Sequence, residues 1–120
     1  MSNRQVDEQF KEEVNGLHAQ ICGGLADPSR ILILYALADH PYYVTELAEA
    51  LDIPQPTVSR HLKVLRDRGM VKAQRERQTV LYSLEDDRII EALDLLRAVL
   101  ADMLREQGAL GEHVSLDGSP

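Results

Sequence analysis

The sequence predicts a mainly α-helical domain carrying one small β-hairpin. Apolar residues recur at helical steps through most of the first 70 positions and again near the end. Between these regions, MVKAQRERQTVLYSL alternates apolar and polar residues as a strand pair does. With no Trp and one Phe in 120 residues, the core falls mainly to Leu, Ile, Val and Ala, which suit packed helices. A chain of this length is expected to form one domain.

Val6, Phe10, Val14, Leu17 and Ile21 fall at steps of four, four, three and four, one stripe of a first helix. Gly23-Gly24 weakens or ends it. Asp27-Pro28 reads as a cap followed by a first-turn proline, opening an apolar second helix that runs to about Asp39, where His40-Pro41 stops it. VTELAEALDI gives a short third helix, with Thr45 as its expected cap and Leu47, Ala48 and Leu51 inward. After a tight turn, PTVSRHLKVLRDRG forms a fourth helix with Pro56 in its first turn. Val58, Leu62 and Leu65 share its inner face, while Pro56, Ser59, Arg60 and Lys63 project outward.

Beyond Gly69, Val71, Ala73, Val80, Tyr82 and Leu84 line one side of a hairpin whose polar tip is Arg75 to Thr79. A last helix spans roughly Asp86 to Gln107, with Ile89, Leu93, Leu96, Leu100 and Met103 at steps of four, three, four and three. Leu95 and Val99 widen this surface beyond what one small domain needs to cover, as a dimer seam would require. Residues 1–107 are therefore expected to be the folded unit and 108–120, rich in glycine, a flexible tail.

Two short helices joined by a tight turn, followed by a hairpin with arginines at its tip, describe a winged helix-turn-helix. Charge points the same way. From Gln55 to Val80, seven basic residues (Arg60, Lys63, Arg66, Arg68, Lys72, Arg75, Arg77) face two acidic ones, Asp67 and Glu76. That local +5 sits in a chain of formal net charge −7, so the rest carries −12. A positive face meets phosphate, while the acidic remainder limits indiscriminate binding. The chain lacks a signal-peptide core and the roughly 18 uninterrupted apolar residues of a membrane helix. It is expected in the cytoplasm, without a membrane partner.

LADPSRILILYAL, VTELAEALDIPQPTVSRHLKVLRDRGMVKAQRERQTVLYSL and the closing helix resemble the ArsR/SmtB family of transcriptional regulators, over roughly Gly24 to Arg105. The resemblance implies a homodimeric repressor, dimerised through its first and last helices and released from a double-stranded operator by an effector. It implies that Gln55, Thr57, Ser59, Arg60 and Lys63 face the groove and that Arg75, Arg77 and Gln78 form the wing contact. For the dimer it implies Phe10, Val14 and Leu17 on the first helix with Ile89, Leu93, Leu96, Leu100 and Met103 on the last. Arsenic sensors of the family carry a Cys-x-Cys pair in the third helix, where this chain has YYVTEL. Zinc sensors carry His ligands on the last helix, where the matching positions here are Asp86, Arg88, Val99 and Asp102. Two carboxylates and an arginine do not make a transition-metal site. The effector stays open among a small molecule, a metal and a redox signal, and the sequence requires no cofactor.

Each of these residues also has a plainer reading. Exposed charge runs are usually solvated helix faces, and hairpin tips are often charged only for solubility. His61 lies beside Leu62 and Leu65, where a packed or capping histidine is as fitting as a base contact. His18 and Cys22 are four apart and form the one weak candidate for metal or thiol sensing, but two ligands are not a site and the sole Cys suits a small buried position. Catalysis is not expected: His18, His40, His61 and His113 are dispersed and no glycine-rich phosphate loop is present. A winged helix serving only protein interaction would place apolar anchors where Ser59, Arg60 and Lys63 stand.

Overall fold

The computed structural model describes residues 6–109, and the chain falls into two units divided between Asp87 and Arg88. The first unit begins with α1 (Glu8–Gly16), capped by Asp7, whose carboxylate accepts the Phe10 N–H at 2.8 Å. The expected single helix then widens into a π-helical turn, Leu17–Cys22, in which the Gly23 N–H reaches back five residues to the His18 carbonyl. Apolar spacing alone does not distinguish such a turn from α-helix, because the stripe drifts by only part of a residue. The segment stops at Gly23, as the sequence suggests, and a side chain has no room there: a Cβ would lie 2.7 Å from Arg68 Nη1 and 2.9 Å from the Ala19 carbonyl oxygen.

Helix α2 (Pro28–Asp39) has its expected cap, with the Asp27 carboxylate accepting the Ser29 N–H at 2.8 Å. Tyr42–Tyr43 then forms β1, a strand the two-stranded expectation omits. Pro41 ends the helical run, and the two following residues lie extended against β3, too briefly to show a period. Helix α3 (Val44–Leu51) is capped by Tyr43 rather than Thr45, the Tyr43 N–H donating to the Glu46 carboxylate at 3.1 Å. Helix α4 (Gln55–Asp67) follows, then β2 (Val71–Glu76) and β3 (Thr79–Leu84). The antiparallel sheet has the order β1-β3-β2, with Val71 opposite Leu84 and Glu76 opposite Thr79.

The core of this unit is aliphatic. Ile33 and Leu34 of α2, Leu47 of α3 and Val58, Leu62 and Leu65 of α4 are wholly buried, with Met70, Val71 and Leu84 closing over them. The inner face read from α4 is thus the inner face observed. Gly69 turns the chain from α4 into the sheet at φ +76°, a conformation in which a Cβ is disfavoured, although nothing lies within 4 Å of where one would stand. Gly69→Ala is therefore expected to cost roughly 1 kcal/mol, from backbone strain alone. Urea unfolding checks this, since a loss well beyond that size would mean a clash instead of strain.

The second unit is α5, Arg88–Ala109, which starts two residues after the expected Asp86 and ends two after Gln107. The expected tail therefore begins inside this helix, and its residues 110–120 lie outside the described residues. Leu95, Leu96, Val99, Leu100 and Met103 are each more than half exposed, whereas Leu93 is buried.

Candidate nucleic-acid interface

The turn between α3 and α4 fixes how α4 is presented. Asp52 adopts the left-handed conformation at φ 56°, which Asp tolerates better than most residues, and the Ile53 N–H bonds back to the Ala48 carbonyl at 3.0 Å. Pro54 then supplies its carbonyl to both the Thr57 and Val58 N–H groups at 3.0 Å, satisfying two first-turn donors of α4, and Pro56 has no N–H to satisfy. With Val58, Leu62 and Leu65 anchored in the core, helical geometry puts Gln55, Ser59, Arg60, Lys63 and Arg66 in solvent, with Thr57 half-buried beside them. Lys63 reaches Asp67 at 3.1 Å, but both side chains are largely exposed. Such a pair is worth at most about 1 kcal/mol and exchanges readily for a phosphate.

Across the sheet, β2 and β3 meet in a two-residue turn, Arg77-Gln78, between the paired Glu76 and Thr79. Arg75, Arg77 and Gln78 are exposed. Arg77 holds φ 57°, a position that Gly or Asn fills at lower conformational cost. The wing and the first turns of α3 and α4 enclose a groove of about 310 Å³, which Gln55 and Gln78 both line. Of the predicted helix and wing residues, Gln55 and Gln78 share this groove, while Ser59, Arg60, Lys63, Arg75 and Arg77 are exposed outside its lining.

Not every basic residue of the +5 segment faces outward. Arg68 turns away, its guanidinium donating to the Ala19 and Gln20 carbonyls at the end of the π-helical turn. Arg30 grips the same region: its Nε donates to the Gly24 carbonyl at 2.8 Å and its Nη2 to the Gly23 carbonyl at 3.3 Å. The remaining Arg30 nitrogen, Nη1, meets His61 Nδ1 at 3.3 Å, and the other His61 ring nitrogen lies 4.0 Å from the Asp27 carboxylate. His61 is therefore a packed linker between α2 and α4, the plainer of its two readings. Sequence reasoning missed Arg30 and the inward turn of Arg68. The cue was available in part, because the last carbonyls of a helix that ends in Gly-Gly need donors from elsewhere.

A second unforeseen contact supports the wing. The Tyr43 hydroxyl donates to Glu76 Oε1 at 2.6 Å, across 33 residues of sequence. Accepting that hydrogen bond and adding its negative charge, Glu76 holds the Tyr43 phenol above its usual pKa. Of the residues expected at a dimer seam, Val14, Leu17, Leu96, Leu100 and Met103 are exposed, Phe10 and Ile89 are half-buried and Leu93 is buried. His18 and Cys22 are both exposed, Cys22 contrary to the buried position expected for a lone thiol. Among the described residues, no three His, Cys, Asp or Glu side chains cluster in a way that could hold a metal ion.

Residues 27–73, from the α2 cap into β2, match the family model for bacterial regulatory proteins of the arsR family. Over 107 residues the chain is 39% identical to the HTH-type transcriptional regulator CmtR of Mycobacterium bovis, spanning 84% of this chain and 91% of that one. The chain belongs to the ArsR family. It is likewise 44% identical over 89 residues to the HTH-type transcriptional regulator NmtR of Mycobacterium tuberculosis, covering 74% of this chain and 71% of the relative. Its fold resembles the crystal structure of the transcriptional repressor BigR from Xylella fastidiosa, with TM-score 0.67 and 26% identity over 79% of this chain and 96% of that one. This ArsR-family chain is a DNA-binding transcriptional regulator with a winged helix-turn-helix. No helix among its described residues is long and apolar enough to cross a membrane.

Proposed function

We propose that this ArsR-family regulator is a homodimeric cytoplasmic repressor that acts by binding rather than catalysis. In this reading Gln55, Thr57, Ser59, Arg60 and Lys63 of α4 enter the major groove, while Arg75, Arg77 and Gln78 of the wing meet the flanking backbone. Residues 1–107 supply DNA binding and dimerisation. The observation that carries it is the outward basic surface of α4 and the wing on a chain that is acidic elsewhere. Arg77 adds to it: at φ 57° its exposed guanidinium is presented at the tip of the wing. The uncovered apolar face of α5 supports the dimer, since exposed patches of this kind mark association surfaces. Repression fits BigR, a transcriptional repressor whose fold this chain resembles.

Arg60 is assigned to a base edge, standing one turn into α4 with its side chain exposed. Arg60→Ala is expected to weaken operator binding by roughly 1–3 kcal/mol while leaving binding to random duplex nearly unchanged. Titration of both DNAs by fluorescence anisotropy checks the assignment. Equal loss on the two would move Arg60 to a phosphate.

A further inference from the structure

Glu76 is an acidic side chain between Arg75 and Arg77, at the last paired position before the wing's turn. Left free, its carboxylate would stand among the groups assigned to a polyanion and oppose them. Instead the Tyr43 hydroxyl holds it at 2.6 Å, and Tyr43 is itself fixed at both ends: its Cα pairs with Leu81 of β3, and its N–H donates to Glu46 at the start of α3. We infer that Tyr43 is a positioning residue for the wing, drawing the Glu76 carboxylate towards α3 so that Arg75 and Arg77 meet the DNA backbone without a competing negative charge. The inference rests on the reading above, in which the wing touches DNA.

The geometry separates two jobs that the wing sequence mixes. Glu76 Oε1 is turned to Tyr43, while the Glu76 carbonyl accepts the Thr79 hydroxyl at 2.9 Å and closes the turn. Arg77, next in sequence, holds its left-handed conformation within that turn. The phenol meets the carboxylate at 2.6 Å as a charge-assisted donor, stronger than a neutral pair. The contact therefore ties a flanking strand to the wing tip and neutralises none of the arginines.

The test is operator affinity for Tyr43→Phe, Glu76→Gln and the double variant, with a melting curve for each. Tyr43→Phe is expected to bind about tenfold more weakly, because the released carboxylate swings back among the arginines. Glu76→Gln is expected to bind at least as tightly as wild type, having lost the opposing charge. The double variant should then match Glu76→Gln, since with no carboxylate to hold aside Tyr43 has nothing left to do. A double variant as weak as Tyr43→Phe alone would assign Tyr43 to packing and overturn the inference, as would Tyr43→Phe binding like wild type. Arg75→Ala combined with Arg77→Ala separates the underlying reading: if that variant keeps both wild-type affinity and wild-type salt dependence, the wing does not touch DNA and both proposals fall together.

Discussion

Leu96→Asp combined with Leu100→Asp is expected to give a folded monomer that no longer retains operator DNA. Both leucines are more than half exposed on α5, so neither carboxylate disturbs the core of the single chain. Leu93 is unsuitable for the same experiment because it is already buried, and a charge there would report on folding instead of assembly. In a dimer sealed through α5, each protomer contributes two new carboxylates to apolar contact. At about 2 kcal/mol apiece for an unpaired polar group, the loss equals the roughly 8 kcal/mol that holds a micromolar dimer together. Operator binding falls with it, because a single winged helix contacts one half-site and the free energy of the second is lost. Sedimentation velocity at tens of micromolar, with circular dichroism to show that the helices persist, checks both parts. A wild-type monomer, or a double variant that still sediments as a dimer, would remove α5 from the assembly.

What the sequence disclosed and what it hid divide along physical lines. The α2 cap at Asp27-Pro28 and the buried triad of α4 were legible because each is local: a cap is set by its own side chain and a helix face by its own period. Strand β1 was not legible. Two residues carry no periodicity, and Tyr42–Tyr43 is extended because β3 offers it an edge. The π-helical turn was hidden for a related reason, since its hydrogen bonds run one residue longer than the apolar stripe can report. Exposed Cys22 shows the limit of composition as a guide: residue type gives a tendency to bury, while the neighbouring chain decides whether anything covers it.

The candidate site followed the same division. That α4 is basic outside and apolar inside could be read from spacing, so Ser59, Arg60 and Lys63 were placed correctly in solvent. Which charges remain available could not, because this depends on contacts between residues far apart. Arg68 lies within the basic segment by sequence yet spends its guanidinium on the Ala19 and Gln20 carbonyls, 49 and 48 residues away. Glu76 likewise belongs to the wing by sequence and to Tyr43 by hydrogen bond.

This distinction has a measurable size in salt. If all seven basic residues of the segment met phosphate, a dimer would release counterions from fourteen contacts, and log affinity would fall against log salt with a slope near −13. The structure supports a smaller number. Arg68 is engaged with backbone carbonyls and Arg60 is assigned to a base; of the five that remain, the proposed interface takes Lys63, Arg75 and Arg77 as the phosphate contacts of each protomer, Arg66 and Lys72 being exposed but outside the proposed contact set. Six contacts per dimer give a slope near −5, and an affinity loss of about a thousandfold between ~50 and ~200 mM salt. Arg75→Ala with Arg77→Ala removes four of the six and should flatten the slope to about −2. Lys63→Ala should lower it by about 2 from the wild-type value, even though Lys63 is paired with Asp67 in the free protein, because an exposed ion pair is weak enough to yield to phosphate. Arg68→Met should leave the slope where it was and lower the melting temperature instead, by uncapping the end of the π-helical turn. Operator titrations across a salt series decide among these counts. A wild-type slope near zero would remove the electrostatic basis of the interface, and a shallower slope for Arg68→Met would return that residue to the DNA face.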